Sequence, residues 1–211
     1  MFSLPRFVAV VLCVALGLTL LSCQSPQPYF KTQGGYTLKG ETRSDRLTAE
    51  QIITSLDLTG HVEGGYFRQT FKADHRPTIP TQHGDRVTMT SIYYLLTAKS
   101  PIGHFHMNRS DIMHYFHLGD PITYYLINQD GSVETHILGP DPTKGHKMQM
   151  IVKGGTWKAS KIPTTGAYGY GLIGEAVAPG FEYTDMQLGK QSQLLQQYPQ
   201  HSALIKQLTR P

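Results

Sequence analysis

The sequence predicts an all-β sandwich or barrel with short helices at its two ends. Three observations carry this. Between His61 and Leu188 the chain is built from short segments rich in β-branched and aromatic residues, namely Tyr66–Phe71, Val87–Leu96, Ile122–Ile127, Met148–Val152 and Tyr170–Val177. Turn signals separate them: Asn128-Gln-Asp-Gly131 marks a hairpin, and Gly154-Gly155 and Pro179-Gly180 are further breaks. No helical period intervenes, which argues against alternating strands and helices.

The flanks read differently. Thr48-Ala-Glu-Gln51 has the form of a capping box and starts a short helix carrying Ile52, Ile53 and Leu56 inward, ending near Thr59-Gly60. The tail from Gln191 to Leu208 is helical and interrupted at Tyr198-Pro199, with Leu194, Leu195, Leu204, Ile205 and Leu208 as its apolar stripe.

At the N-terminus, Arg6 precedes an apolar run from Phe7 to Leu21, followed by Ser22-Cys23-Gln24. A basic start, an apolar core and a small residue before a cut site describe a secretory signal. The run is shorter than the roughly 20 residues of a bilayer-spanning helix. Leu20-Leu21-Ser22-Cys23 resembles a bacterial lipobox, which implies cleavage after residue 22, lipidation of Cys23 and a bacterial envelope location, anchored through an N-terminal lipid and facing the periplasm or exterior. Residues 23–46 are polar and turn-rich and read as a tether, leaving 47–209 as one domain. Both cysteines, Cys13 and Cys23, lie within the signal, so packing or a bound ligand must hold the mature domain. The net charge of +4 comes without a Lys/Arg run that could follow a phosphate backbone, which argues against nucleic-acid binding.

The candidate chemistry begins at His104-Phe-His106, where a strand period of two places both imidazoles on one face. Such a pair is either half of a metal site or a surface pair at a strand edge. The stretch Gly103 to Gly119 (Gly-His-Phe-His-Met-Asn-Arg-Ser-Asp-Ile-Met-His-Tyr-Phe-His-Leu-Gly) resembles the first cupin motif, and Gly154-Gly-Thr-Trp157-Lys158 resembles the second. Glu63-Gly-Gly-Tyr-Phe-Arg68, Ser91-Ile-Tyr-Tyr-Leu-Leu-Thr97 and Val177-Ala-Pro-Gly-Phe181 narrow the resemblance to the DUF985-type (Cupin_5) family of unknown function. It implies a single-domain cupin jelly-roll barrel with an internal ligand site, as a homodimer.

The resemblance also exposes two departures. The Glu of the usual His-His-Glu-His metal set falls on Ile112, and the later His falls on Lys158. Ile112, His114 and Phe116 share a face by strand period, so His104, His106 and His114 form an alternative set for a divalent Fe, Mn, Ni or Zn ion. Without a metal, His106, His114 and Tyr93 are candidates for acid–base catalysis, with Tyr115 and Tyr124 as other phenols. Arg68 and Lys158 would favour an anionic or polyhydroxylated ligand, Arg68 having a surface ion pair as its alternative role. Trp157 either stacks on a ligand or packs in the core, and Glu63 is a candidate for the pocket mouth. Three functions therefore remain: a lipid-anchored module binding a small polar or anionic molecule, a metal-dependent enzyme, and a metal-free isomerase or epimerase acting on a sugar-like substrate.

Overall fold

The computed structural model describes residues 46–210, so the expected signal, Cys23 and nearly all of the expected tether lie outside the described residues. The helix at the domain's start is α1 (Ala49–Ser55). Its capping box is formed: Gln51 N–H donates to Thr48 Oγ1 at 3.1 Å, and Thr48 N–H donates to Gln51 Oε1 at 2.8 Å. The strands follow as β1 (Thr59–Gly60), β2 (Tyr66–Lys72), β3 (Ile79–Thr81), β4 (Gly84–Arg86), β5 (Thr90–Thr97), β6 (Ile102–Asn108) and β7 (Asp111–Gly119). Then come β8 (Ile122–Ile127), β9 (Val133–Leu138), β10 (Gln149–Val152), β11 (Trp157–Lys161), β12 (Tyr170–Ala178) and β13 (Met186–Leu188). The tail forms α2 (Gln191–Gln197) and α3 (Ser202–Leu208), divided by a 3₁₀ turn at Pro199–His201 where proline removes a helix donor.

The strands build a six-stranded sheet ordered β1-β2-β5-β12-β7-β10 and a five-stranded sheet ordered β13-β6-β11-β8-β9, with β3 and β4 as a separate hairpin. All pairings within the two main sheets are antiparallel. This is the jelly roll expected from the sequence. Period-two alternation then sorts the side chains. Tyr94, Leu96, Tyr124, Leu126, Met150, Val152 and Ile173 fill the space between the sheets. Leu95 and Leu172 point the other way and pack with Ile52 of α1. Phe105, Ile127, Trp157 and Ala159 form the outer face of the five-stranded sheet, covered by Leu194, Ile205 and Leu208 of α2 and α3. The helices thus cap the outer faces, and the apolar interior between the sheets can accommodate a site at one end.

One irregularity decides a site question. Between β6 and β11, Lys158 pairs with His106 but Ser160 pairs with Gly103, so β6 carries one extra residue at His104-Phe105. Such a bulge breaks the alternation of faces. Phe105 turns to the α2–α3 side. His104 lies beside the Leu208 backbone and Arg210 of the C-terminal tail. The expectation that His104 and His106 share a face is thereby overturned.

Candidate functional site

A cavity of about 200 Å³ opens between the sheets, lined by polar His61, Glu63, His106, Asn108, Lys158 and Glu175. An apolar wall that includes Ile92, Ile112 and Phe181 faces them, with Tyr183 also on the lining. The volume lies below the roughly 300–1,000 Å³ of drug-sized ligand sites.

Strand register brings the polar groups together. In the five-stranded sheet Lys158 sits directly opposite His106. In the six-stranded sheet Glu175 sits directly opposite His114. Both pairs face the interior, so they meet across it: Lys158 Nζ lies 3.3 Å from His114 Nε2 and 3.7 Å from a Glu175 carboxylate oxygen. His114 Nδ1 lies 3.1 Å from Glu175 Oε1 and 3.3 Å from the Tyr124 hydroxyl. An ammonium can only donate, so His114 Nε2 is the acceptor and Nδ1 carries the hydrogen offered to Glu175. Burial and the Lys158 charge lower the His114 pKa, against the raising effect of Glu175. Burial alone would raise the Glu175 carboxyl, but Lys158 and His114 outweigh it and hold it well below the usual carboxylate range. The result is a neutral imidazole between an ammonium and a carboxylate.

A second pair forms the cavity's other side. Gly64 and Gly65 have φ of 103° and 70°. A side chain at Gly64 would collide with the Ile102 carbonyl oxygen, and a Cβ at Gly65 would stand 2.7 Å from that of Leu95. These glycines let the His61–Gly65 turn lie against β5 and β6, where His104 N–H donates to Glu63 O at 2.7 Å and the Tyr94 hydroxyl donates to Gly64 O at 2.9 Å. Glu63 Oε2 is thereby placed 3.0 Å from His106 Nε2 and 3.6 Å from His61 Nδ1. His106 Nδ1 is 2.8 Å from the His104 carbonyl oxygen, which can only accept, so Nδ1 carries a hydrogen. His106 Nε2 and Glu63 Oε2 are close without the alignment of a hydrogen bond, so Nε2 is a buried polar atom with no hydrogen-bond partner. Burial raises the Glu63 pKa, yet His106, His61 and Lys158 together leave it lowered. Burial lowers that of His61.

The family model described as Cupin superfamily (DUF985) matches residues 50–189. The chain belongs to that family. It is 37% identical over 146 residues to the uncharacterized protein YML079W of Saccharomyces cerevisiae, covering 64% of this chain and 72% of the yeast protein. Among solved structures, a hypothetical protein from Leishmania major superposes with a TM-score of 0.74 at 33% identity, covering 78% of this chain and all of that one. A Shewanella oneidensis protein gives 0.71 at 36% identity, covering 79% and 99%.

Within this cupin, His106, His114 and Lys158 converge on the interior, and Ile112 lines the cavity wall. Four expectations are corrected. His104 is outside the cavity because of the bulge. Tyr93 lies on the outer face of β5, edge-on to the His117 ring at 5.8 Å, because its neighbour Tyr94 takes the inward position. Arg68 pairs in register with Tyr93 on that outer face and is exposed, whereas Phe67 and Gln69 line the cavity. Trp157 packs in the outer cluster under α2 and α3, one residue out of phase with inward Lys158.

The same geometry disposes of the three-imidazole metal set. His104 is turned away, and the two nitrogens of His114 already face Glu175 and Lys158. Ile112 and Lys158 replace two donors of the usual cupin set. Among the described residues no group of three or more His, Cys, Asp or Glu has metal-holding geometry. The residues therefore do not fit the metal that the fold suggests.

Sequence reasoning missed Glu175, His61 and Asn108. Glu175 carried a signal: it is the one charge in Tyr170-Gly-Leu-Ile-Gly-Glu-Ala-Val-Ala178, and a charge inside a buried strand needs a partner. His61 and Asn108 sit at a turn and a strand end, where no period marks the inward direction.

Proposed function

We propose that the barrel cavity of this cupin binds a small, uncharged polar molecule of sugar-like hydroxyl content. The observation carrying this reading is Asn108, whose Oδ1 is buried in the cavity lining with no hydrogen-bond partner. An unpaired buried acceptor costs roughly 1–3 kcal/mol, and a ligand hydroxyl supplies the missing donor. Charge argues for neutrality: Lys158 is engaged by Glu175 and His114, Glu63 adds a second carboxylate, and Arg68 is outside. An anion would meet two carboxylates on entering. The apolar wall of Ile92, Ile112 and Phe181 suits the C–H face of such a ligand.

Melting of the detergent-solubilised full chain with neutral polyols and with small carboxylates tests this. A saturable rise with the polyols is expected, equivalent to about 2.7 kcal/mol at a hundredfold excess over Kd, and absent in Asn108→Leu. Stabilisation by carboxylates alone would overturn the reading.

The His106–Glu63 contact favours a second reading, in which this pair moves a proton on the bound molecule as a metal-free isomerase or epimerase. Tyr183, not Tyr93, is then the phenol on the cavity lining. Solvent deuterium appearing in a recovered sugar, and lost in His106→Gln, would support it.

The envelope location rests on residues 1–23 alone. Cys23→Ser is expected to abolish metabolic labelling with palmitate, and continued labelling would remove that part of the reading. Among the described residues no helix is long and apolar enough to cross a membrane. The expected homodimer finds support in exposed Tyr115, Met148 and Ile151 at the β7–β10 edge of the six-stranded sheet, and sedimentation of the solubilised chain would test it.

A further inference from the structure

We propose that Lys158 is a nucleophilic amine that captures a small aldehyde or ketone in the cavity as an imine, with His114 as its base and Glu175 holding that base in position. This rests on the reading of the cavity as a site for a sugar-like molecule, and narrows the ligand to one with a reactive carbonyl.

The geometry is that of an activated nucleophile. Lys158 Nζ is 3.3 Å from His114 Nε2, and His114 Nδ1 is 3.1 Å from Glu175 Oε1. A nucleophile within reach of a base, itself oriented by a third group, is the arrangement by which unrelated folds activate serine, cysteine or lysine. The order in depth is also right. Lys158 lines the cavity, whereas His114 is fully buried behind it and is not part of the lining. Only the amine can meet a ligand, and the base is shielded from water. Glu175 lies nearer to His114 Nδ1 than to Lys158 Nζ, at 3.1 Å against 3.7 Å, so its first effect is to fix the imidazole tautomer with Nε2 unprotonated toward the amine. An amine attacks a carbonyl only through a free lone pair, which is why a base in contact matters.

The step balances without any other reagent. His114 Nε2 takes a proton from the ammonium, and the freed lone pair forms a C–N bond as the carbonyl π pair moves onto oxygen. Nitrogen gives up two protons in all, and both pass from nitrogen to that oxygen, which leaves as water; His114, which meets only the amine, takes the first and returns it to the nitrogen after addition. A protonated C=N bond remains, carrying the positive charge that began on the ammonium. Glu175 then faces an iminium in place of an ammonium, so the buried charge stays paired throughout. Glu63 and His106, on the cavity's other side, are not consumed in this step.

Dihydroxyacetone with cyanoborohydride, applied to the detergent-solubilised full chain, is the test, because reduction fixes an imine as a secondary amine that peptide mapping locates. The expected result is labelling of Lys158 at least tenfold above exposed Lys99 and Lys144, falling by tenfold or more in His114→Asn and absent in Lys158→Arg. His114→Gln provides a second removal of the base, and the melting temperature of each variant shows whether it folds. Labelling of exposed lysines while Lys158 stays unmodified would overturn the proposal. So would undiminished labelling of Lys158 in a folded His114 variant. Glycerol, which lacks a carbonyl, separates the two readings: stabilisation by glycerol with no Lys158 adduct defeats capture and leaves polyol binding intact, whereas loss of both defeats both.

Discussion

Each inward charge in this barrel is held by another, and removing one member costs more than the pair contributes. Glu175 illustrates this. Its carboxylate is buried 3.1 Å from His114 and 3.7 Å from Lys158, and deleting it strands an ammonium in the interior. Breaking such a pair from one side costs about 3–5 kcal/mol, while replacing both members by apolar residues of similar volume is often neutral. Glu175→Ala is therefore expected to lower stability by about that amount, measured by urea unfolding, and Lys158→Met/Glu175→Leu to recover most of it. A double variant as unstable as Glu175→Ala would mean that packing around Glu175, not charge, holds the site. Trp157 is the opposite kind of residue. It is large and motif-bearing but packed on the outer cluster, so its truncation should weaken the contact with α2 and α3 and leave the cavity groups in place.

At the level of elements, the turn His61–Gly65 and the bulge in β6 do most to set the site, and they differ in how readable they were. The strands showed plainly in the sequence because Val, Ile, Tyr and Phe at period two leave a strong pattern; β8 matches its expected span from Ile122 to Ile127. The helix start at Thr48 and the break at Pro199 were legible for the same reason, since capping and proline chemistry are local. A one-residue bulge is not local: it arises where β6 and β11 pair, and nothing within Gly103-His-Phe-His106 requires it. That single extra residue removes His104 from the site. Tyr93 likewise stands one residue out of phase with inward Tyr94, and Trp157 one residue out of phase with inward Lys158. What the Gly64-Gly65 turn delivers, Glu63 beside His106, depends on contacts over forty residues away. Gly64→Ala tests that turn. With φ at 103° and the Ile102 carbonyl in the way of a Cβ, it should destabilise the domain by roughly 2 kcal/mol or more. It should also diminish any His106-dependent activity, as Glu63 is displaced. A variant of unchanged urea midpoint would show that the turn relaxes without strain.

For the whole molecule, the polar interior makes stability depend on pH in a definite direction. His114 and His61 have pKa values lowered in the fold, chiefly by burial, so each resists protonation there more than in the unfolded chain. Such a histidine is stabilising above its unfolded value of about 6.5 and loses that contribution as pH falls below it toward the folded value. Glu63 and Glu175 also have lowered values: burial opposes this, but their histidine and lysine neighbours prevail. Their contribution is present above the unfolded value of about 4.3 and is lost as pH falls through the folded one. Both sets act in the same sense, because at acid pH the unfolded chain binds more protons than the folded one. Stability should therefore decline in two stages, a first below about pH 6.5 from the histidines and a second below about pH 4.3 from the carboxylates. Urea midpoints measured from pH 8 to pH 3 would show it. In Lys158→Met/Glu175→Leu the His114 imidazole loses the Lys158 and Glu175 charges, so its share of the first stage would reflect burial and the smaller effect of His106, while the Glu175 share of the second stage disappears. A wild-type profile flat from pH 8 to pH 5, with the fold intact, would mean that the buried imidazoles take up protons without penalty. The neutral His114 on which the Lys158 relay depends would then be wrong.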